Sequence, residues 1–291
     1  MFRTIVVPLD GSPLAEQALP FAERLAASTS AQLVLARAEG TENGARAYLE
    51  GIESQLTALG LSVQPVVEKG DPATAIIERA RTSGADLIIM STHGRSGPGR
   101  WLYGSVADEV LRHAPVPILL VPAIATQPWP PDRAPTVLVP LDGSKLAEAA
   151  LAPAQVLAQH LGSEVILLEV VPPPPVSAYG DGSFVAAFDP REELALDEDY
   201  LSKIAARLKP DVRQVRIRTD VGPPATIIAD TASREHADLI VMATHGRSGL
   251  ARVVVGSVAT GTLHRARIPL LLVGPAALQS TTVRQLTAAT A

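Results

Sequence analysis

The chain states its design twice. The stretch "TIVVPLDGSPLAEQAL" at 4–19 returns as "TVLVPLDGSKLAEAAL" at 136–151, an offset of 132. "GDPATAIIERARTSGADLIIMSTHGRSG" at 70–97 returns as "VGPPATIIADTASREHADLIVMATHGRSG" at 221–249, an offset of 152. A repeat of this length makes each half a unit with the same order of elements, and 291 residues suffice for two units that each bury a core. The boundaries read as a first domain over 1–123, a Pro-rich linker over 124–135, a second domain over 136–275 and a polar, frayed tail over 276–291. The 20-residue difference between the offsets places an insertion at 172–190, within the second domain. The prolines of the linker predict a short, extended and stiff connection.

Within each half, short runs rich in Val, Ile and Leu alternate with helical stretches. Strands are expected at 5–9, 32–38, 62–70, 85–90 and 116–122, with counterparts in the second half, and a helix opens at Ser12-Pro13, where proline fits the first turn. The chain is 47% hydrophobic but 3% aromatic, as suits Val/Ile/Leu strands covered by helices on both faces. Right-handed βαβ units then give an α/β fold of two tandem, doubly wound, five-stranded parallel sheets. The insertion ends in Asp189-Pro190 with Glu192 following, which predicts a capped helix running to Leu208.

Composition removes several function classes. There is no cysteine, hence no disulfide, thiolate metal site or cysteine nucleophile, and the net charge of −5 comes without a basic run for nucleic acid. No signal peptide and no apolar run long enough for a membrane span is legible, so a soluble cytoplasmic protein is expected. The six histidines show no paired metal-ligand spacing. P-loop, dinucleotide and nucleophile-elbow motifs are likewise missing.

The chemistry concentrates in one duplicated loop. In an open α/β sheet, ligands sit outside the carboxyl ends of the strands where the strand order reverses. Asp10 and Asp142 end the first strand of each half, and the loop follows the fourth. Gly94 and Gly97, like Gly246 and Gly249, allow backbone N–H groups to approach an anion, and Arg95, Arg100, Arg247 and Arg252 add charge. Gly104-Ser105 and Gly256-Ser257 open a helix whose free N–H groups favour phosphate. A plainer reading stands beside each feature. Ser105 with Asp108 makes a helix capping box, a pairing the second copy lacks because Thr260 follows Ser257; Asp10 can serve as an Asx-turn former in "DGS"; His93 and His245 fit structural roles.

Taken together, "VVPLDGS", "THGRSG", the nine residues between Gly94 and Gly104-Ser105 and the closing "VPILLVP" resemble the universal stress protein family over nearly the whole chain. The resemblance implies a Rossmann-like strand order of 3-2-1-4-5 and ATP, with Mg²⁺, held at the crevice between the first and fourth strands. Carried over, the nucleotide residues are Asp10, Ala38, Ser91, His93, Gly94, Arg95, Gly97, Gly104 and Ser105. In the second half they are Asp142, Val170, Ala243, His245, Gly246, Arg247, Gly249, Gly256 and Ser257. Ser91 and Ala243 stand where the family signature has its first glycine. The resemblance further implies that the last strands mediate pairing, either of the two halves into a pseudo-dimer or of two chains into a homodimer.

The expected function is a nucleotide-dependent stress-response protein with no catalytic residue and at most weak ATP hydrolysis. A scaffold or chaperone-like protein without nucleotide, and a division of labour between one ATP-binding and one dimerising domain, are the alternatives.

Overall fold

A computed structural model describes residues 2–39, 44–93, 104–123, 128–173, 190–244 and 255–279. In the first half these form β1 (Thr4–Pro8), α1 (Pro13–Glu16), α2 (Leu19–Thr29), β2 (Gln32–Glu39), α3 (Ala45–Ala58), β3 (Val63–Lys69), α4 (Pro72–Thr82), β4 (Leu87–Ser91), α5 (Ser105–His113) and β5 (Ile118–Val121). The second half repeats the order as β6 (Thr136–Leu141), α6 (Lys145–Glu148), α7 (Leu151–Leu161), β7 (Glu164–Val171), α8 (Pro190–Leu208), β8 (Gln214–Val221), α9 (Pro224–Arg234), β9 (Leu239–Ala243), α10 (Ser257–Arg265) and β10 (Leu270–Val273), and adds α11 (Pro275–Gln279).

The strands form one ten-stranded sheet in the order β3-β2-β1-β4-β5-β10-β9-β6-β7-β8. Each half is parallel and ordered 3-2-1-4-5, and the halves meet through the antiparallel pair β5 and β10, with Leu119 opposite Leu271. Alternation along the strands sends Ile5, Val7, Leu87 and Ile89 to one face and Val6, Ile88, Ile118 and Leu120 to the other. The first face is covered by α2, α3, α7 and α8, and the second by α4, α5, α9 and α10. Both clusters run through both halves, so the two repeats share a core.

The pairing of β5 with β10 produces the pseudo-dimer within one chain. It also occupies the free edges of both strands.

The single helix expected after each "DGS" is two helices. Ser12 caps α1 by accepting from the Ala15 N–H at 3.1 Å, and Ser144 caps α6 through Ala147 at 3.1 Å. Pro20 and Pro153 then have no N–H to donate one turn back, and the helix restarts as α2 and as α7. The described part of the linker, 128–135, is docked rather than spanning free space. Trp129 is buried, meets Phe21 of α2 edge-on at 5.1 Å and donates from Nε1 to the Asp238 carbonyl at 3.2 Å. Arg133 forks onto the Asp238 carboxylate at 2.7 and 2.9 Å, while Arg24 holds the carbonyls of Pro130 and Arg133. The beginning of the tail is also structured, with Ala277 of α11 buried and α11 resting on α5. Asp189, residues 174–189 of the insertion and the tail from 280 lie outside the described residues.

Candidate functional site

The carboxyl ends of β1 and β4 diverge because β1 continues to β2 on one side and β4 to β5 on the other. This leaves a crevice of about 350 Å³ in the first half. The equivalent divergence of β6 and β9 leaves one of about 560 Å³. Both volumes suit a small ligand.

After β1 and β6 the chain turns sharply at Gly11 and Gly143, whose φ values of +84° and +76° favour glycine. The Asp10 Oδ1 accepts the Ser12 N–H at 2.9 Å, and Asp142 Oδ1 accepts both the N–H and the hydroxyl of Ser144, at 3.0 and 2.6 Å. The Asx-turn is therefore real in both copies, and both carboxylates also line their crevices.

Beyond β4, Thr92 takes its N–H to the Val121 carbonyl and offers its own carbonyl to Gly104 at 2.7 Å; Thr244 does the same with Val273 and Gly256, the latter at 2.8 Å. The chain leaving each fourth strand is thus brought back to its starting point before the next helix begins. Gly104 and Gly256 are the N-caps of α5 and α10, with no side-chain cap, and Ser105 and Ser257 are the first helical residues. The Ser105–Asp108 capping box does not form. Gly104 takes the cap position because its N–H is tied to Thr92, and Asp108 instead pairs with Arg112 at 2.9 Å. The first turn of α5, from Ser105 to Ala107, lines the crevice with its positive dipole end.

Asp10, Ala38, Ser91, His93, Gly104 and Ser105 all line the first crevice. Asp142, Val170, Ala243, Gly256 and Ser257 line the second. Ser91 and Ala243 are buried at the ends of β4 and β9, where their Cβ atoms are accommodated, and the Ser91 hydroxyl receives the His93 N–H at 3.4 Å. His93 Nδ1 lies 3.1 Å from the Thr92 hydroxyl. Gly94, Arg95, Gly97, Arg100, His245, Gly246, Arg247, Gly249 and Arg252 lie outside the described residues.

The sequence reading missed an apolar wall present in both copies: Pro72, Ile76 and Met90 in one, Pro224, Ile228 and Met242 in the other. Their identity at an offset of 152 was the available signal. Glu169, Leu196 and Asp197 of the second crevice have no such counterpart and carried no signal. Behind each crevice a tyrosine hydroxyl donates to a glutamate, Tyr48 to Glu16 at 2.8 Å and Tyr200 to Glu148 at 3.4 Å. Burial first, and then the facing carboxylates, push both phenols well above the ordinary tyrosine range, so both remain donors. Among the described residues there is no group of three metal-ligating side chains and no helix long and apolar enough to cross a membrane.

The fold and site define a tandem, doubly wound α/β protein with a helix N-terminus opening on one crevice in each repeat. The universal stress protein family model matches residues 1–38, 35–122 and 134–274, and the chain belongs to that family. A universal stress protein of Mycobacterium tuberculosis is 31% identical over 218 residues, covering 73% of this chain and 69% of that protein. The crystal structure of a putative universal stress protein from Pseudomonas aeruginosa superposes with a TM-score of 0.73 over 99% of this chain and 98% of its own, at 20% identity, and shows the same tandem fold. A universal stress protein solved in complex with cAMP is 29% identical and covers 42% of this chain and 98% of its own, with a TM-score of 0.38.

Proposed function

We propose that each half holds an adenine nucleotide, ATP with Mg²⁺ on its phosphates, and that occupancy rather than turnover is the output. The observation that carries this reading is the duplicated crevice. Both copies keep an apolar wall for a base and an uncapped helix N-terminus for phosphate, although α8 lines the second crevice and α3 does not line the first. Gly104 supports it further. Among the described residues a Cβ there would meet only the Thr92 carbonyl oxygen, at 3.5 Å, so packing against them does not demand glycine, whereas close approach of a phosphate would.

The residues that would hold the nucleotide are Asp10, Ala38, Ser91, His93, Gly104 and Ser105 in the first crevice and Asp142, Val170, Ala243, Gly256 and Ser257 in the second. Gly94, Arg95 and Gly97, and His245, Gly246, Arg247 and Gly249, would complete them. Bound nucleotide supplies a polyphosphate whose charge the helix N-terminus offsets; the Asp10 and Asp142 carboxylates are engaged in the turns that shape the crevice. Hydrolysis, if measurable, is weak, and the output passes to a partner protein through the shared core. Isothermal titration of nucleotide-stripped protein with Mg-ATP tests this: saturable binding at two sites per chain is expected. Absence of binding up to millimolar ATP would overturn the reading in favour of a scaffold.

A further inference from the structure

The two crevices are alike in their apolar walls but differ in charge: among the described residues Asp10 is the one carboxylate lining the first, with Arg37 standing behind its turn, whereas Asp142, Glu169 and Asp197 line the second. Thr4 pairs with Gln32 across β1 and β2, and Thr136 pairs with Glu164 across β6 and β7, so the position five residues further on holds Arg37 in the first half and Glu169 in the second. Both side chains are buried, at 8% and 2% exposure. The Arg37 guanidinium packs beside the Asp10 turn: a Cβ on Gly11 would lie 3.1 Å from its Nη1, and its carbon sits 5.0 Å from the Tyr48 ring centroid. Glu169 instead lines the second crevice with Asp142.

A second difference comes from the long helix α8. The repeated Tyr–Glu hydrogen bonds align Tyr48 with Tyr200, which sets Asp197 where the first half has Ala45. Asp197 lines the second crevice, as does Leu196, which is 71% exposed, and so α8 contributes a wall that α3 does not. The segments outside the described residues do not offset this in sequence. Residues 94–103 and 245–254 carry two arginines each, 40–43 carries Glu42, and 174–189 carries Asp181 and Asp189 and no lysine or arginine. Both phenols are raised, first by burial; Glu16 and Asp10 add to this at Tyr48 while Arg37 acts against it, and at Tyr200 Glu148, Glu169 and Asp142 all add to it with no cation among the described residues opposing.

We infer that Arg37 and Glu169 set different ligand charge preferences in the two crevices: the first accepts a free nucleotide polyanion, and the second accepts an adenine ligand of low net charge, such as the magnesium complex. This rests on the nucleotide reading above. A guanidinium beside the first crevice, against Glu169 and one further carboxylate lining the second, weakens binding of metal-free ATP at the second crevice by about a hundredfold relative to the first.

The test is a pair of titrations of the full chain with ATP, in EDTA and in excess Mg²⁺, read as stoichiometry. One site per chain in EDTA and two in Mg²⁺ are expected, and Ala38→Trp, which blocks the first crevice, should abolish the site seen in EDTA. Glu169→Gln, a near-isosteric change, should strengthen the weak site in EDTA by about tenfold, and Arg37→Gln should weaken the strong one to a similar extent. Two equivalent sites in EDTA, or an EDTA site that survives Ala38→Trp, would overturn the charge assignment while leaving nucleotide binding intact. No binding in either solution would overturn both.

Discussion

Gly104→Val separates a binding role for this residue from a structural one. Gly104 has φ −67° and ψ 158°, an extended conformation that valine adopts readily. Among the described residues its ideal Cβ meets only the Thr92 carbonyl oxygen at 3.5 Å, an ordinary contact. The N–H that bonds to Thr92 at 2.7 Å is kept. Exchanging glycine for valine at an N-cap costs about 1 kcal/mol, partly offset by the smaller entropy of the unfolded chain. For a chain of this size that is a shift of about 2–4 °C or less in Tm. The branched side chain, however, enters a crevice that Gly104 lines together with Ser105 and Asp10. Loss of close phosphate approach and of the helix N–H contacts should cost nucleotide affinity at this crevice at least about tenfold, equivalent to about 1.4 kcal/mol. Thermal unfolding followed by titration calorimetry on the same preparation reads both quantities. Unchanged affinity at the first crevice would refute the reasoning, as would a collapse of stability as large as the loss of binding.

Gly274→Ala should behave in the opposite way: its Cβ would lie 2.6 Å from the Leu111 carbonyl oxygen, backbone that cannot step aside, so a loss of about 1–3 kcal/mol in a denaturant titration with nucleotide affinity retained is expected. Trp129→Ala removes the buried ring between Phe21 and Asp238 and should destabilise by about 3–5 kcal/mol, whereas Trp129→Phe should cost about 1 kcal/mol for the lost hydrogen bond; equal effects of the two in urea melts would contradict the packing role. Partial desolvation of the largely exposed His264 imidazole, and secondarily Arg265, lowers its pKa below the usual 6.5. The unfolded chain then binds the proton more readily, so this contribution to stability is complete above pH 6.5 and falls away as pH drops towards the folded-state value; His264→Gln should flatten that part of the stability profile.

How much of this was legible in the sequence differs by element. The repeat and the Val/Ile/Leu runs carried the two five-stranded parallel sheets, while the strand order and the crevice between the first and fourth strands came from the family resemblance. Ser12 and Pro13 marked a helix start through local chemistry alone. Contacts between distant segments were not legible. Nothing in "QPWPPDRAP" says that Trp129 packs on Phe21, because proline-rich composition reports stiffness and not what the chain rests against. The fusion of two five-stranded sheets into one depends on β5 meeting β10 antiparallel, a pairing that their similar apolar sequences permit without specifying. Ser105 was open to a capping role because the sequence shows a Ser–Asp spacing but not that Gly104 is tied to Thr92, which moves the cap by one residue. Arg37 and Glu169 were visible as letters. Their opposition became visible only when the strand register placed them at one position beside one kind of crevice.

The central claim is that both crevices receive the nucleotide at the helix N-termini, and backbone amide chemical shifts measured during a Mg-ATP titration locate that contact residue by residue. Saturable shifts at Gly104, Ser105, Gly256 and Ser257, with little change in β3 and β8 at the outer edges of the sheet, are the predicted result. Saturable shifts elsewhere with none at these four amides would contradict the account.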